Sequence, residues 1–553
     1  MSHEQTTPEK CMPIRFVIPI LIVVFAVHAS GQTTLSGSVL GDNGKPIPMA
    51  HVHIKSGMND TTYLSVPVGR QGTFSVRIPI QGALMVEFSG VNHLPYTIPL
   101  VSGSKQTVKL TVTLGTYSYR DDLSGVAFVY GFEESSRGKS VEPARQPNGL
   151  YTARVETDKA KFAYQLNNVE QSGRTINGTD SETYEYDGGG DYRSVLTPRD
   201  GKVTITFDPA KLLRGSSESK VTFANPSSFA ARLLEIHRAQ EKRQEQFTKA
   251  MMDHRQAGKD MKDFSFDWTP ALTQLQTSLH HEKDSLIQQE LWMECLDLLS
   301  LGGTAPDSSL RQRALREIPP SSPLWVYHLN TVSQLDFDTT GGSAYTERLM
   351  KENPDKNLMG SLLFNKLGWA RYVGKRNEIT LYYDRLMTEC GGTRYARMAK
   401  ERYSSDITIF VGADAPPFSF VSLDDSAVTF TNESFKGKYL LLDFWAVWCG
   451  PCIRELPTLH KAYERFKGKN FAVLSLSFDR SPQDVVKFRE GQWKMPWNHV
   501  FVEKGFANPT SKVYEVEGIP KPVLIDPSGK IVAMTMDLRG EQLEKTLAKY
   551  LGE

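Results

Sequence analysis

Charge of one sign is what this chain lacks most plainly. Its 64 lysines and arginines stand against 63 aspartates and glutamates, a formal net charge of +1. Nothing in that balance points to a nucleic-acid partner. Long hydrophobic runs are scarce too. After Val27 no segment is long and apolar enough to cross a membrane, which takes about 20 residues. Cysteine is rare, five in 553 residues, so each one can be weighed singly. A clean repeat of about 34 residues, the mark of a tetratricopeptide array, is absent. What remains is ordinary globular composition, 40% hydrophobic and 10% aromatic. The chain is too long for one core, and about three to four domains are expected.

Lys10 and Arg15 precede a short apolar run, residues 16–27, and the small residues Ala29-Ser30-Gly31 follow it. This pattern reads as a secretory signal peptide over residues 1–31, with an uncleaved membrane anchor as the alternative. Cys11 precedes the run and would leave with it. The expected location is the periplasm or cell envelope. Two of the remaining cysteines, Cys295 and Cys390, lie on an apparent apolar helix face and at a helix end before Gly391-Gly392. Both read as buried thiols, and a disulfide joining them is the alternative in an oxidising compartment.

The expected fold class is multidomain: β-sandwich modules first, a helical middle region, then a C-terminal α/β unit. Residues 32–117 read as β. Ala50-His51-Val52-His53-Ile54 alternates like a half-buried strand, and Asp42-Asn43-Gly44-Lys45-Pro46 is turn chemistry. These stretches, with the turn-to-strand Gly72 to Val76, are similar to the carboxypeptidase-regulatory-like β-sandwich, a resemblance that implies no catalysis. His51 and His53 share a strand face, but no third metal ligand is indicated. Residues 118–225 read as a second β-rich unit, with strands at Phe162-Ala163-Tyr164-Gln165-Leu166 and Val203-Thr204-Ile205-Thr206-Phe207. Tyr184, Tyr186 and Tyr192 flank Gly188-Gly189-Gly190. They read as sheet aromatics, with stacking on a sugar as the alternative. Asn177-Gly178-Thr179 fits a glycosylation pattern that means little in a bacterial chain.

Residues 226–406 change to a helical pattern. Pro226-Ser227-Ser228 signals a start, and segments are expected over 229–259, 268–301, 309–316, 324–335, 344–351, 358–373 and 376–390. They read as a tetratricopeptide-like array or an irregular bundle. His280-His281 reads as a solvated helix face rather than a metal site, and no metal site is expected anywhere in the chain.

The chemistry concentrates in one place. Trp448-Cys449-Gly450-Pro451-Cys452 follows an apolar run that reads as a buried strand and precedes a periodic segment that reads as a helix. Two cysteines two residues apart at a strand-to-helix junction suit dithiol redox chemistry. Cys449 falls where unpaired helical N–H groups and the positive end of the dipole stabilise a thiolate. Pro451 falls where a missing N–H costs nothing. A zinc half-site is the alternative, and no suitably spaced second pair supports it.

Asp443-Phe444-Trp445-Ala446-Val447-Trp448-Cys449-Gly450-Pro451-Cys452 resembles the active-site segment of thioredoxins. Ile453-Arg454-Glu455-Leu456-Pro457 and Val411 to Phe418 resemble the TlpA/ResA-like branch, the envelope thiol–disulfide oxidoreductases. Tyr514 to Pro520 is similar to the segment carrying that family's cis-proline, and Leu524 to Lys530 to the hairpin after it. The resemblance covers residues 407–553 and implies a thioredoxin fold. It implies that Cys449 attacks a substrate disulfide and Cys452 resolves the mixed disulfide. Asp443 is then the buried carboxylate that exchanges a proton, Glu455 tunes the thiols, and Pro520 is the cis-proline. Trp448, Gly450, Pro451 and Ile519 would meet the substrate.

Lys521-Pro522 departs from the family pattern and puts the local strand pairing in question. The resemblance implies no cofactor beyond the Cys449–Cys452 disulfide, protein disulfides as substrates, and a membrane thiol-transfer protein as electron donor. Gly450-Pro451 is the dipeptide of reducing thioredoxins, which favours a reductase. Two rivals stand beside this reading. A peroxide-reducing enzyme would want a Thr-x-x-Cys site, which Ala446-Val447-Trp448-Cys449 does not supply. A binding or scaffold protein with an accessory redox domain is the other.

Overall fold

The computed structural model describes residues 33–57, 62–103, 106–132, 138–301, 308–335, 342–403, 408–491 and 493–552. The expected signal segment 1–31, with Cys11, lies outside them. Among the described residues no helix is long and apolar enough to cross a membrane.

Two four-stranded sheets begin the fold. One runs in the order Lys220–Phe223, Gln106–Leu114, Thr33–Gly41, Thr73–Ile78, and the other Thr62–Pro67, Ala50–Ser56, Gly82–Gly90, His93–Ser102. Thr73–Ile78 alternates strictly between exposed and buried positions, as a strand with one wet face must. Leu35, Val52, Ile54, Val86, Phe88 and Val112 from the two sheets form one core. The parallel pairing of Thr33–Gly41 with Gln106–Leu114 sets Gly37 opposite Leu110. A Cβ on Gly37 would lie 1.7 Å from the Leu110 carbonyl oxygen, so only glycine allows that approach. The strand Lys220–Phe223 comes from far along the chain to close the edge of this sheet.

A second β unit carries a five-stranded sheet, Thr183–Tyr186, Tyr192–Leu196, Phe162–Asn167, Ala127–Tyr130, Lys139–Val141, and a three-stranded sheet, Ala144–Arg145, Tyr151–Glu156, Lys202–Phe207. Phe128, Tyr164, Leu166, Ile205 and Phe207 fill its core. Two of the tyrosines near the glycines, Tyr186 and Tyr192, pack against the first β unit. The Tyr192 hydroxyl lies 3.0 Å from His51 Nδ1 and 2.9 Å from Ser89 Oγ. Tyr186 stacks on His53 with ring centroids 3.8 Å apart and donates to Glu87 Oε1 at 2.6 Å. These contacts join the second β unit to the first. They occupy the histidine face with aromatic and hydroxyl partners. Asn177 is buried and bonded to Asn92 at 2.7 Å, which leaves it no room to accept a glycan.

The middle region is helical: Phe229–Gln256, Thr269–His281, Ser285–Ser300, Ser308–Glu317, Leu329–Leu335, Gly342–Glu352, Lys356–Val373, Arg376–Cys390 and Arg394–Arg402. Side-chain caps begin several of them. Ser228 accepts from Ala231 N, Asp355 from Asn357 N and Leu358 N, and Thr393 from Ala396 N. Each cap satisfies backbone donors the helix cannot pair internally. The segment expected over 268–301 is two helices. Asp284 caps a fresh start by accepting from Leu286 N and Ile287 N, and Glu282 accepts from Lys283 N and Asp284 N at 2.7 Å. Cys295 and Cys390 are separate buried thiols, and burial pushes the Cys295 pKa up to about 12. His280 and His281 are exposed.

Tyr327 ties this region to the first sheet pair. Its buried hydroxyl lies 2.8 Å from Leu84 O and 3.1 Å from Leu100 O, and accepts from Leu84 N and Leu100 N. Tyr327→Phe strips a partner from buried backbone groups and should cost about 1–3 kcal/mol. Urea denaturation of the full chain checks this, and an unchanged midpoint would show the groups are satisfied otherwise.

The C-terminal unit is a five-stranded sheet ordered Asn498–Phe501, Phe471–Ser477, Tyr439–Trp445, Lys521–Ile525, Ile531–Met534. The first three strands are parallel to one another and the last two antiparallel. Phe471–Ser477 is buried at every position, as a strand covered on both faces should be. Helices Gly450–Phe466 and Glu541–Leu551 pack together against the sheet. Pro522 does not break the pairing. It stands opposite Asp443 in the ladder to the central strand, while pairing to the outer strand begins beyond it at Val523. The helical region grips this unit through Arg371–Glu515 at 2.6 Å and Arg402–Glu517 at 2.7 Å. The Tyr372 carbonyl also accepts from Thr535 Oγ1 at 2.9 Å.

Candidate active site

The central strand ends at Trp445, and Ala446 to Trp448 turn the chain into the helix Gly450–Phe466. Cys449 is the N-cap, and Pro451 lies in the first turn. The Cys449 sulfur accepts from the Cys452 N–H at 3.2 Å. That contact is the local form of the dipole argument: a backbone donor points at the sulfur where negative charge would form. Cys449 and Cys452 are joined by a disulfide with Cα atoms 5.2 Å apart, within ordinary bridging range.

Cys449 is less open than its place at the helix end suggests. It is 4% exposed, whereas Trp448 beside it is 55% exposed. The cover comes from across the sheet. The Ile519–Pro520 peptide is cis, and the Ile519 carbonyl oxygen lies 3.7 Å from Cys449 Sγ. The disulfide therefore lies beside the Ile519 backbone that enters the cis bond to Pro520, and Trp448, Gly450 and Pro451 next to it in the chain are exposed.

Asp443 lies within the central strand and is buried. Its Oδ2 accepts from Ser475 Oγ at 3.0 Å, and Ser475 Oγ in turn accepts from Trp497 Nε1 at 2.9 Å. Burial pushes its pKa up to about 6, against the pull of the Ser475 hydrogen bond and with help from the nearby negative charge of Glu455. Buried carboxyls shift this way because the charged form loses its hydration. Glu455 lies one turn beyond Cys452, but its carboxylate is held elsewhere. It accepts from Arg539 Nε at 3.0 Å and Gly540 N at 2.7 Å. Its reach into the site is the charge it presents to Asp443.

Three residues outside the expected site support it. Asp479 accepts from Val447 N at 3.0 Å and from Ser477 Oγ at 2.7 Å, so it anchors the turn leading to Cys449. Ser475 carries the hydrogen-bond chain to Asp443. Lys521 is buried, and its ammonium donates to Tyr514 O at 2.9 Å and Glu515 O at 2.7 Å, pinning the segment before Pro520. Burial lowers its pKa to about 8. The only signal for Lys521 in the sequence is its departure from the family pattern, and Asp479 offers none beyond its place after a buried strand.

A family model described as thioredoxin-like matches residues 437–531. The thiol–disulfide oxidoreductase ResA of Bacillus cereus is 31% identical over 150 residues, which are 27% of this chain and 81% of that protein. ResA of Bacillus thuringiensis is 28% identical over 178 residues, 32% of this chain and 96% of that protein. Among solved structures, the thioredoxin domain of a thiol–disulfide oxidoreductase from Bacteroides vulgatus is 36% identical, covers 26% of this chain and 99% of that one, and has a TM-score of 0.24. Through its C-terminal quarter the chain belongs to the ResA-type, thioredoxin-like thiol–disulfide oxidoreductases, and it is a protein-disulfide oxidoreductase.

Proposed function

We propose that the protein reduces disulfides of other proteins in the bacterial cell envelope, through a mixed disulfide on Cys449. The observation that carries this reading is the Cys452 N–H directed at Cys449 Sγ, 3.2 Å away at a helix start. In the reduced enzyme that donor favours a Cys449 thiolate. The thiolate attacks one substrate sulfur, a new S–S bond forms, and the other substrate sulfur leaves as a thiolate. Cys452 then yields its proton and attacks Cys449 Sγ, which releases the second substrate thiol. Two electrons pass from the dithiol to the substrate, and the enzyme is left as the disulfide. Asp443, with its raised pKa, is suited to take the Cys452 proton near neutrality. Trp448, Gly450 and Pro451 offer an exposed rim, and the Ile519 backbone beside the sulfur suits an extended substrate strand. Pro520 holds that backbone in place.

Continued turnover needs electrons, and a membrane thiol-transfer protein is the donor this reading calls for. The signal-like segment at residues 1–31 supports the envelope location.

Direction is tested by redox equilibration of the full chain against glutathione buffers, following the Cys449–Cys452 pair. Gly450-Pro451 leads us to expect a potential near about −270 mV, the reducing-thioredoxin value. A value near about −120 mV, that of a strong oxidant, would reverse the direction.

A further inference from the structure

A second cluster of chemistry-bearing side chains lies in the helical region and takes no part in the dithiol site. Glu290 and Glu294 are one turn apart on helix Ser285–Ser300, so they share a face. His328 ends the 3-10 turn Pro323–His328. The three are 0%, 0% and 3% exposed. One ligand atom from each lies within 4.8 Å of the other two.

Their remaining contacts are those of a supported site. Glu290 Oε1 faces His237 Nε2 at 2.8 Å and His328 Nε2 at 3.3 Å. Arg243 holds Glu294 through Oε2. His328 Nδ1 lies 2.8 Å from Asp297 Oδ2. Asp297 is itself fixed by Gln240 at 3.0 Å and by the Thr331 hydroxyl. With Nδ1–H given to Asp297, the Nε2 lone pair of a neutral His328 turns toward the glutamates. This is the carboxylate–histidine arrangement that orients metal-binding imidazoles.

Two oxygens are left over. Glu290 Oε2 and Glu294 Oε1 are buried and have no hydrogen-bond partner among the described residues. Native interiors rarely leave such atoms unpaired.

We propose that Glu290, Glu294 and His328 bind one divalent cation, and the mixed nitrogen and oxygen donors suit zinc. The ion ties helix Ser285–Ser300 to the turn Pro323–His328. Helix Phe229–Gln256 is drawn in through His237 and Arg243, which hold the two glutamates. Its role is structural, since the site is closed to solvent. Binding displaces the proton that His328 Nε2 otherwise shares with Glu290 Oε1.

The test uses the full chain with Cys449–Cys452 kept oxidised, so that the dithiol cannot take the ion. Protein stripped with a chelator is unfolded and refolded with Zn²⁺ or without it, dialysed, and assayed for metal content and melting temperature. The expected result is one tightly held Zn²⁺ per chain and a higher melting temperature in the loaded protein. Glu294→Gln and His328→Gln should each weaken retention at least about tenfold. His280→Gln/His281→Gln, at the exposed histidine pair, should leave it intact. Wild-type protein that retains no Zn²⁺ and melts alike in both preparations overturns the proposal, even if the variants fail to fold. So does retention that survives both Glu294→Gln and His328→Gln.

Discussion

Full-length protein carrying Cys452→Ala will accumulate reducible mixed disulfides on Cys449 in cells. Cys449→Ser will accumulate none and will lose disulfide-reducing turnover by at least about a thousandfold. The asymmetry follows from the site. Cys449 caps the helix with a backbone donor on its sulfur and adjoins the Ile519 carbonyl and the exposed Trp448. Cys452 lies inside the first turn, and exposure does not separate the pair, which are 4% and 3% exposed as the disulfide. Removing the inner sulfur leaves the outer one able to attack and unable to be released. Removing the outer one leaves no sulfur at the helix cap beside the Ile519 backbone to attack a substrate. Diagonal electrophoresis of acid-quenched cells, followed by identification of the adducts, makes the measurement. Partners recovered equally through both variants, with no reducible adduct, would favour the scaffold reading. About three quarters of the chain lies outside the matched region, so that outcome has room to be true.

Asp443→Asn should stabilise the C-terminal unit at pH 8 and slow its chemistry. Burial raises the Asp443 pKa from 3.8 to about 6 in the oxidised protein, so the folded chain binds this proton more tightly than the unfolded chain does. The resulting stabilisation is complete below about pH 4 and is lost as pH rises through about 6. Asparagine has no such loss, keeps an acceptor for Ser475, and should be more stable than wild type by roughly 2–3 kcal/mol at pH 8. The advantage should vanish near pH 4. Turnover should fall by about a hundredfold, in the range of a lost general base. Urea melts of wild type and variant from pH 4 to pH 8, paired with turnover assays, read both effects. A stability difference that does not change with pH would show that Asp443 stays ionised throughout.

Glu455 shows where the sequence stops informing the site. Its position one turn beyond Cys452 follows from helical spacing, and the helix is legible from its apolar period. Its partners, Arg539 and Gly540, lie more than eighty residues away, and no local pattern announces them. Lys521 repeats the lesson. In the sequence it is an unexpected residue beside a proline. In the fold its ammonium holds the carbonyls of Tyr514 and Glu515, while Arg371 from the helical region holds the Glu515 side chain. The pairing of Pro522 with Asp443 likewise depends on which neighbouring strand carries the ladder at that point.

By itself the sequence determined whatever is encoded within a short window. The helices expected over 358–373 and 376–390 were legible because the helical period acts over a few residues, and the first begins two residues earlier, at Lys356. The dithiol was legible because its geometry needs only a strand end, a helix start and two intervening residues. Tertiary structure decided what depends on chain segments meeting from afar. It brought the strand Lys220–Phe223 to the edge of the first sheet, and used Tyr186 and Tyr192 to join the two β units. It also gathered Glu290, Glu294 and His328 into one buried cluster. Such meetings are selected by burial and by satisfying polar groups across the whole fold, which leaves no period or spacing in the chain to read.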